Sequence, residues 1–305
     1  MFEFAAKLVI RLGYRLAYGA MLEKAWRVST ASLQGAGLTE FLDGALFPSP
    51  RSWRNVPVPS RYSFYADPFY FRSSGGIVVE ALNRRSGLGE IVLLANGEHR
   101  SLIREHDHHL SYPATATVGG REVLVPETAR WSPPRVYAVQ HGGVRLIDTL
   151  RIHGDARVTD PSLLERDARV YLFGNTPQIG SNVLQLWLSY SLEHEFALHP
   201  ASPIRIGPEG SRMGGSLIEA EGRLFRLGQD SSRGYGDGLI IFEITQLTPD
   251  DYAECRIGTV RFQDRKGPHT LNVHNRKIVF DWYRDRFTLM AGIRRLLGRR
   301  NSGNS

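Results

Sequence analysis

Between roughly residues 50 and 280 the apolar residues come in short runs, and each run is bounded by turn formers. "GIVVEAL", "EVLVPET", "RVYLFGN", "VLQLWLSYS" and "GLIIFEI" are rich in β-branched and aromatic residues, and "SSGG", "VGGR" and "SRGYGDG" separate such runs. That pattern predicts strands, because runs of this length and chemistry suit a pleated, buried surface. Helical spacing is weak throughout this region. It strengthens only at the two ends. In "MFEFAAKLVIRLGYRLAYGAML" the charges Glu3, Lys7, Arg11 and Arg15 recur every fourth residue, which draws one polar stripe on a helix.

Five segments can be laid over one another. They are "ADPFYFRSSGGIVVEA" from 66, "SYPATATVGGREVLVPE" from 111, "TDPSLLERDARVYLFG" from 159, "GGSLIEAEGRLFRLG" from 214 and "HTLNVHNRKIVFDW" from 269. Each has an opening motif, an apolar strand, a polar turn and a second apolar strand. The opening residues Asp67, Tyr112, Asp160, Gly214 and His269 lie 45, 48, 54 and 55 residues apart. Strand-only repeats of this period are the mark of propeller blades. The expected fold is therefore all-β, a five-bladed β-propeller over 24–283, with short amphipathic helices at 1–23 and 284–305. Residues 24 to 60 are expected to close the last blade with an outer strand. A β-sandwich with uneven loops explains the strands but not the recurrence of the opening motifs.

Composition adds bounds. The chain has 305 residues, 42% hydrophobic and 23% charged, which is ample for a core. Its single cysteine, Cys255, excludes an intramolecular disulfide. The net charge is +7, and only four of the 38 cations are lysine (Lys7, Lys24, Lys266, Lys277). Such a surplus favours anionic partners. The cations sit at the ends and scattered through loops, without an aromatic-interleaved stripe, so no nucleic acid is expected. Neither end has an apolar run long enough to span a bilayer. The first 22 residues and "RDRFTLMAGIRRLLGRR" suit two roles equally, an interfacial membrane helix or a terminal helix packed on the domain. The expected location is cytoplasmic, with peripheral contact at the inner face of the membrane.

The blade openings carry the candidate chemistry. A propeller brings these distant positions to one funnel, so Asp67 and Asp160 would place two carboxylates together. The proline after each acid favours an extended start to the strand. Glu80 and Glu127 end second strands, and "HDHHLSYP" contributes His109 and Tyr112. Arg212 in "GSRMGG", Gln229, Asp230 and Tyr235 in "LGQDSSRGYGDG", and His269 in "GPHT" complete the set. Carboxylates, an imidazole, an arginine and aromatic rings suit a sugar, whose anomeric centre needs acid, base or nucleophile. Either acid could equally serve only to bond backbone amides. His106, Asp107, His108 and His109 are consecutive and cannot all face one ion, so no metal is expected. "GYGDG" lacks the Gly-Lys-Ser/Thr of a phosphate loop, and no cofactor motif is present.

In order, "YADPFYF", "HHLSYP", "VPET", "TDPSLL", "GSRMGGSL", "RLGQDSSRGYGDGL" and "GPHTLN" resemble the motifs of the N-terminal domain family of glucosamine inositolphosphorylceramide transferases. That family also occurs as stand-alone bacterial proteins near polysaccharide genes. It is distantly similar to the five-bladed arabinanase and β-xylosidase-type glycoside hydrolases. The resemblance runs from about residue 24 to 283. It implies that Asp67 stands at the hydrolases' general base and Asp160 at the acid that orients it. The glutamic general acid of their fourth blade has no counterpart here, where Arg212 stands instead; Glu127 or Glu80 would have to supply the proton. The implied activity is glycosyl transfer or cleavage in envelope or exopolysaccharide assembly. The implied substrates are a sugar, a sugar phosphate, a nucleotide sugar or a lipid-linked glycan. A non-catalytic propeller that positions a glycan or a partner glycosyltransferase is the alternative.

Overall fold

Valines and isoleucines fill successive positions of the middle strands, and the reason is visible in how the sheets pack. In Ile77–Asn83 and Gly89–Ala95 both faces are buried, since each small sheet is sandwiched between its neighbours. The computed structural model describes residues 13, 21–33, 37–44, 47–128, 132–140 and 143–288. Within them the chain forms five antiparallel sheets arranged as the blades of a five-bladed propeller.

In the first blade Tyr62–Tyr70 is innermost, followed outward by Ile77–Asn83, Gly89–Ala95 and Glu98–Ile103. Ser111–Val118 opens the second blade, Thr159–Arg166 the third and Glu209–Met213 the fourth. Leu271–His274 is the inner strand of the fifth. Apolar clusters fill the gaps between blades. Val123, Val125, Leu163, Leu172 and Trp187 join the second and third, and Phe225, Leu239, Ile241, Leu271 and Phe280 join the fourth and fifth. Each such side chain is worth about 1.5–3 kcal/mol once buried.

The fifth blade is assembled from both parts of the sequence. Its order runs Leu271–His274, Lys277–Phe287, Leu22–Ser32 and Arg54–Asn55, so residues before the first blade supply two strands and not the single outer strand expected. Trp282 Nε1 donates to Ser29 Oγ at 2.8 Å across this seam. The α-helix Leu38–Gly44 buries Phe41 and Leu42 against the fourth and fifth blades.

Residues 27–282 form one compact unit, and residues 1–26 with 283–305 form another. In the second unit Trp26 lies 4.6 Å from Tyr283 between ring centroids, and Lys24 sits over the same Tyr283 ring. Arg286 pairs with Glu23 there. Most of the expected terminal helices, 1–23 and 284–305, lies outside the described residues; of those that are described, Gly13 and Met21 are helical, whereas Leu22–Ser32 and Lys277–Phe287 are strands.

The fourth blade opens earlier than its sequence suggested. The ladder skips between Glu209 and Arg212, with Gly210 at φ 79°, whereas the expected opening was Gly214. Gly214 and Gly215 instead make the crossing to the fifth blade, where Leu271 N–H donates to the Gly214 carbonyl.

Candidate active site

Three blades open on the same backbone event. Asp67, Tyr112 and Asp160 have φ of 46°, 41° and 51°, and each is followed by proline. The ladders shift register at these points, between Ala66 and Phe69, Ser111 and Ala114, and Thr159 and Ser162. A left-handed residue followed by one without an N–H makes a bulge, which bends the strand and re-aims the side chain. Aspartate tolerates this backbone better than most residues.

Opposite each bulge, the second strand carries a polar residue. Glu80 faces Ala66, Glu127 faces Ser111, Asn175 faces Thr159 and Asp230 faces Glu209. In the fifth blade Asp281 holds the corresponding place, its N–H bonded to the Thr270 carbonyl. These residues reach across to the neighbouring blade. Glu127 Oε2 accepts the Asp160 N–H at 3.0 Å, Asp281 Oδ2 accepts the Asp67 N–H at 3.0 Å, and Asn175 Nδ2 donates to the Ser211 carbonyl at 2.7 Å. The bulge takes the amide of residue 67 or 160 out of its own ladder, and the adjacent blade satisfies it.

Asp67 is 5% exposed and sits in a dense cluster. Its Oδ1 accepts from Thr270 Oγ1 at 2.6 Å and lies 3.1 Å from His269 Nδ1. Asp281, fully buried, accepts the backbone N–H groups of His269 at 3.0 Å and Thr270 at 2.7 Å. Burial works to raise the Asp67 pKa. The charge and hydrogen bond of His269, the Thr270 hydroxyl and the Arg212 charge outweigh it and hold Asp67 below its ordinary value. Burial disfavours charge on His269, but the Tyr235 oxygen, Asp67 and Asp281 raise it well above the usual imidazole range. Asp67 and His269 therefore stand as an ion pair.

Asp160 is 2% exposed and is gripped by Arg212, whose Nε and Nη2 both lie 2.7 Å from Oδ2. Gln229 Nε2 donates to the Met213 carbonyl at 2.7 Å and reaches the same Oδ2 at 3.4 Å. Its buried Oε1 has no protein partner among the described residues. Beside this pair Glu127 is in the opposite state: burial and the Asp160 charge push its pKa well above the ordinary range, against the pull of Arg212.

The two clusters share one mouth. The Tyr235 ring lies 4.9 Å from His269 and 5.5 Å from the Arg212 guanidinium, and it bridges the Asp67 side to the Asp160 side. Glu80 adjoins Asp67, and burial followed by the Asp67 charge raises it, against the pull of His109. Gly89 N–H donates to His109 Nδ1 at 2.9 Å, so the ring proton is on Nε2 and points to Glu80 Oε1 at 3.0 Å.

Two other expected site residues are differently placed. Tyr112 is fully buried: its hydroxyl accepts the Gly215 N–H at 2.9 Å and lies 3.2 Å from Ser162 Oγ, tying three inner strands. Asp230 is committed to Arg261 at 2.5 Å and to Ser232 at 2.6 Å. Sequence reasoning missed Asp281, Thr270 and Asn175. The signal for Asp281 and Asn175 was a single polar residue following the apolar run of a second strand, as in "VFDW" and "LFGN"; Thr270 stands beside His269 at the opening of the fifth blade. The donor atoms of Asp67, His269 and Asp281 lie within 4.8 Å of one another and form a set able to ligate a cation.

A mostly β, five-bladed propeller with acids converging on one axial mouth is the class that fold and site define. Residues 55–283 match the family described as "Glucosamine inositolphosphorylceramide transferase 1, N-terminal", and the chain belongs to that family. Glucosamine inositolphosphorylceramide transferase 1 of Oryza sativa subsp. japonica is 26% identical over 225 residues, covering 69% of this chain and 30% of the relative. The Arabidopsis thaliana protein of that name is 23% identical over 236 residues, covering 72% and 30%. The chain thus spans about 30% of the length of these curated relatives. Among solved structures, an α-L-arabinofuranosidase from Lactobacillus brevis is similar at TM-score 0.48 and 15% identity, over 74% of this chain and 84% of that one. An exo-1,5-α-L-arabinanase from a bovine ruminal metagenomic library is similar at TM-score 0.48 and 12% identity, over 67% and 86%.

Proposed function

We propose that this propeller acts on glycosyl groups, by transfer or cleavage, in the assembly of envelope or exopolysaccharide glycans. What supports the reading is the divergence of two acids, Asp67 and Glu127, at one mouth that a third, Asp160, shares. Asp67 is held ionised by His269, Asp160 is gripped by Arg212, and Glu127 beside it is held protonated. Groups whose surroundings drive their pKa values apart are how one site supplies both an acid and a base. Asp67 acts as base or nucleophile at the sugar, Asp160 as electrostatic partner, and Glu127 gives its proton to the departing oxygen. Arg212 keeps Asp160 in place, Tyr235 offers a ring face, and Gln229 Oε1 accepts a sugar hydroxyl. The substrate is a sugar, a sugar phosphate, a nucleotide sugar or a lipid-linked glycan. No helix among the described residues is long and apolar enough to cross a membrane. The basic ends, in this reading, hold the protein against the inner face of the membrane.

One observation favours a second reading, a non-catalytic module that positions a glycan or a partner transferase. The relatives named as transferases are more than three times the length of the matched region. The test is a panel of nucleotide sugars and aryl glycosides, with product release and ligand binding measured on the native protein and on Asp67→Asn. Turnover lost with binding and melting temperature kept supports the enzyme. A folded native protein that binds a sugar but turns over none of the panel supports the positioning module.

A further inference from the structure

A cavity of about 440 Å³ lies at the other end of the inner strands, roughly 15 Å along the first of them from Asp67. That volume is in the range of small-molecule sites. Its walls come from the first, second, fourth and fifth blades and include Tyr70, Arg72, Ser216, His274 and Arg276. The first mouth pairs its carboxylates with cations, whereas this cavity brings Arg72 and Arg276 together.

The charges here favour an anion. Glu219, the one acid lining the cavity, has Arg166 at 3.7 Å. Glu122 accepts the Arg72 and Ser73 backbone N–H groups and the Ser73 hydroxyl. Asn275 Nδ2 hydrogen-bonds His274 Nε2 at 2.9 Å, and the ring lies 5.5 Å from Tyr70, tilted by 39°.

A second, independent observation concerns the backbone that carries Arg276. The inner hairpins of four blades close through two left-handed residues: Gly119–Gly120, Asp167–Ala168, Glu221–Gly222 and Asn275–Arg276. Glycine is what such a turn prefers at its second position. Two of the four have it and a third has alanine; only the fifth blade places a long cationic side chain there, at φ 59°. Turn chemistry does not ask for arginine, and local strain at a cavity rim points to a ligand. Arg276 is also steadied, its Nη2 reaching the Leu33 carbonyl at 3.4 Å.

We propose that this cavity is a second ligand site, for a phosphate group held by Arg72 and Arg276. A planar guanidinium suits phosphate, which accepts paired N–H bonds from it. The phosphate could belong to a soluble diphosphate or to a lipid headgroup, and two probes separate these. Inorganic pyrophosphate is titrated calorimetrically into the full chain, and flotation is measured with phosphatidylcholine vesicles with and without phosphatidic acid. Arg276→Gly is the informative variant, because the turn favours glycine: melting temperature should hold or rise while binding weakens by about tenfold. Arg72→Ala should weaken it similarly. Pyrophosphate binding sensitive to both substitutions supports a soluble ligand; flotation that needs phosphatidic acid and both arginines supports a headgroup. Binding of neither probe, or binding that survives both substitutions as the basic chain ends would produce, overturns the proposal.

Discussion

Single carboxylates in this protein are told apart by what touches them. Burial works to raise the pKa of both Asp67 and Glu127. Asp67 escapes through His269 and Thr270, whereas Glu127 shares its cation, Arg212, with the neighbouring Asp160, whose charge raises it. The consequence for stability has a definite sign. The folded pKa of Glu127 is raised above its ordinary value of 4.5, so the folded protein keeps a proton that the unfolded chain releases. That contribution is complete below 4.5 and is lost as pH rises toward the folded value. Glu127→Gln, which keeps an acceptor for the Asp160 N–H, should therefore stabilise the protein relative to native at about pH 8 and much less at about pH 5. Thermal melts across that range check it; an equal effect at both ends would refute the assignment. Asp67 runs the other way, its depressed pKa giving stability present above 3.8 and lost as pH falls through the folded value. His269, raised, adds stability that is whole below 6.5 and lost as pH climbs through its folded value.

At the scale of strands, the inner hairpins meet through side chains rather than ladders. Tyr112 is the clearest case, since its hydroxyl takes up the Gly215 N–H at a point where the chain passes too close for any other residue. Gly215 has φ 147°, and a Cβ there would stand 2.1 Å from the Leu271 carbonyl oxygen. Tyr112→Phe keeps the ring but strands a buried amide, and should cost about 1–3 kcal/mol in chemical denaturation. No loss would mean that the hydroxyl is replaced by water. How far these strands could be read beforehand varied with their chemistry. The openings at Asp67, Tyr112 and Asp160 were legible because proline follows each left-handed residue. The fourth blade was placed at Gly214 instead of Gly210 because glycine supplies the same backbone alone, with no proline to mark it. Asp281 went unseen because its partner amides, those of Asp67, His269 and Thr270, gather only when the ring is closed. Arg212 was legible as a site residue, but its commitment to Asp160 was not, since 52 residues separate them.

For the propeller unit as a whole, closure of the ring depends on the fifth blade, which takes strands from both parts of the sequence. Val28 and Val279 are fully buried on the two sides of that seam. Trp282→Phe removes the bond to Ser29 Oγ and part of the ring, and should lower stability by about 1–3 kcal/mol. Amide exchange should show the loss first in the fifth blade, which contains the seam, and next in the first blade, whose Tyr62 and Tyr65 pack with Val28 and Val279. Protection falling uniformly in all five blades would instead mean that the ring opens only as one unit.

The composite blade also bears on how the molecule is made. Ser32 emerges from the ribosome long before Lys277, its neighbour strand in the finished sheet. At ordinary elongation speeds that interval is roughly ten to fifty seconds. Four blades can consolidate in that time while Leu22–Ser32, with Trp26 and Val28 bound for the core, waits without its mate, so newborn chains should engage holding chaperones until the last hairpin arrives.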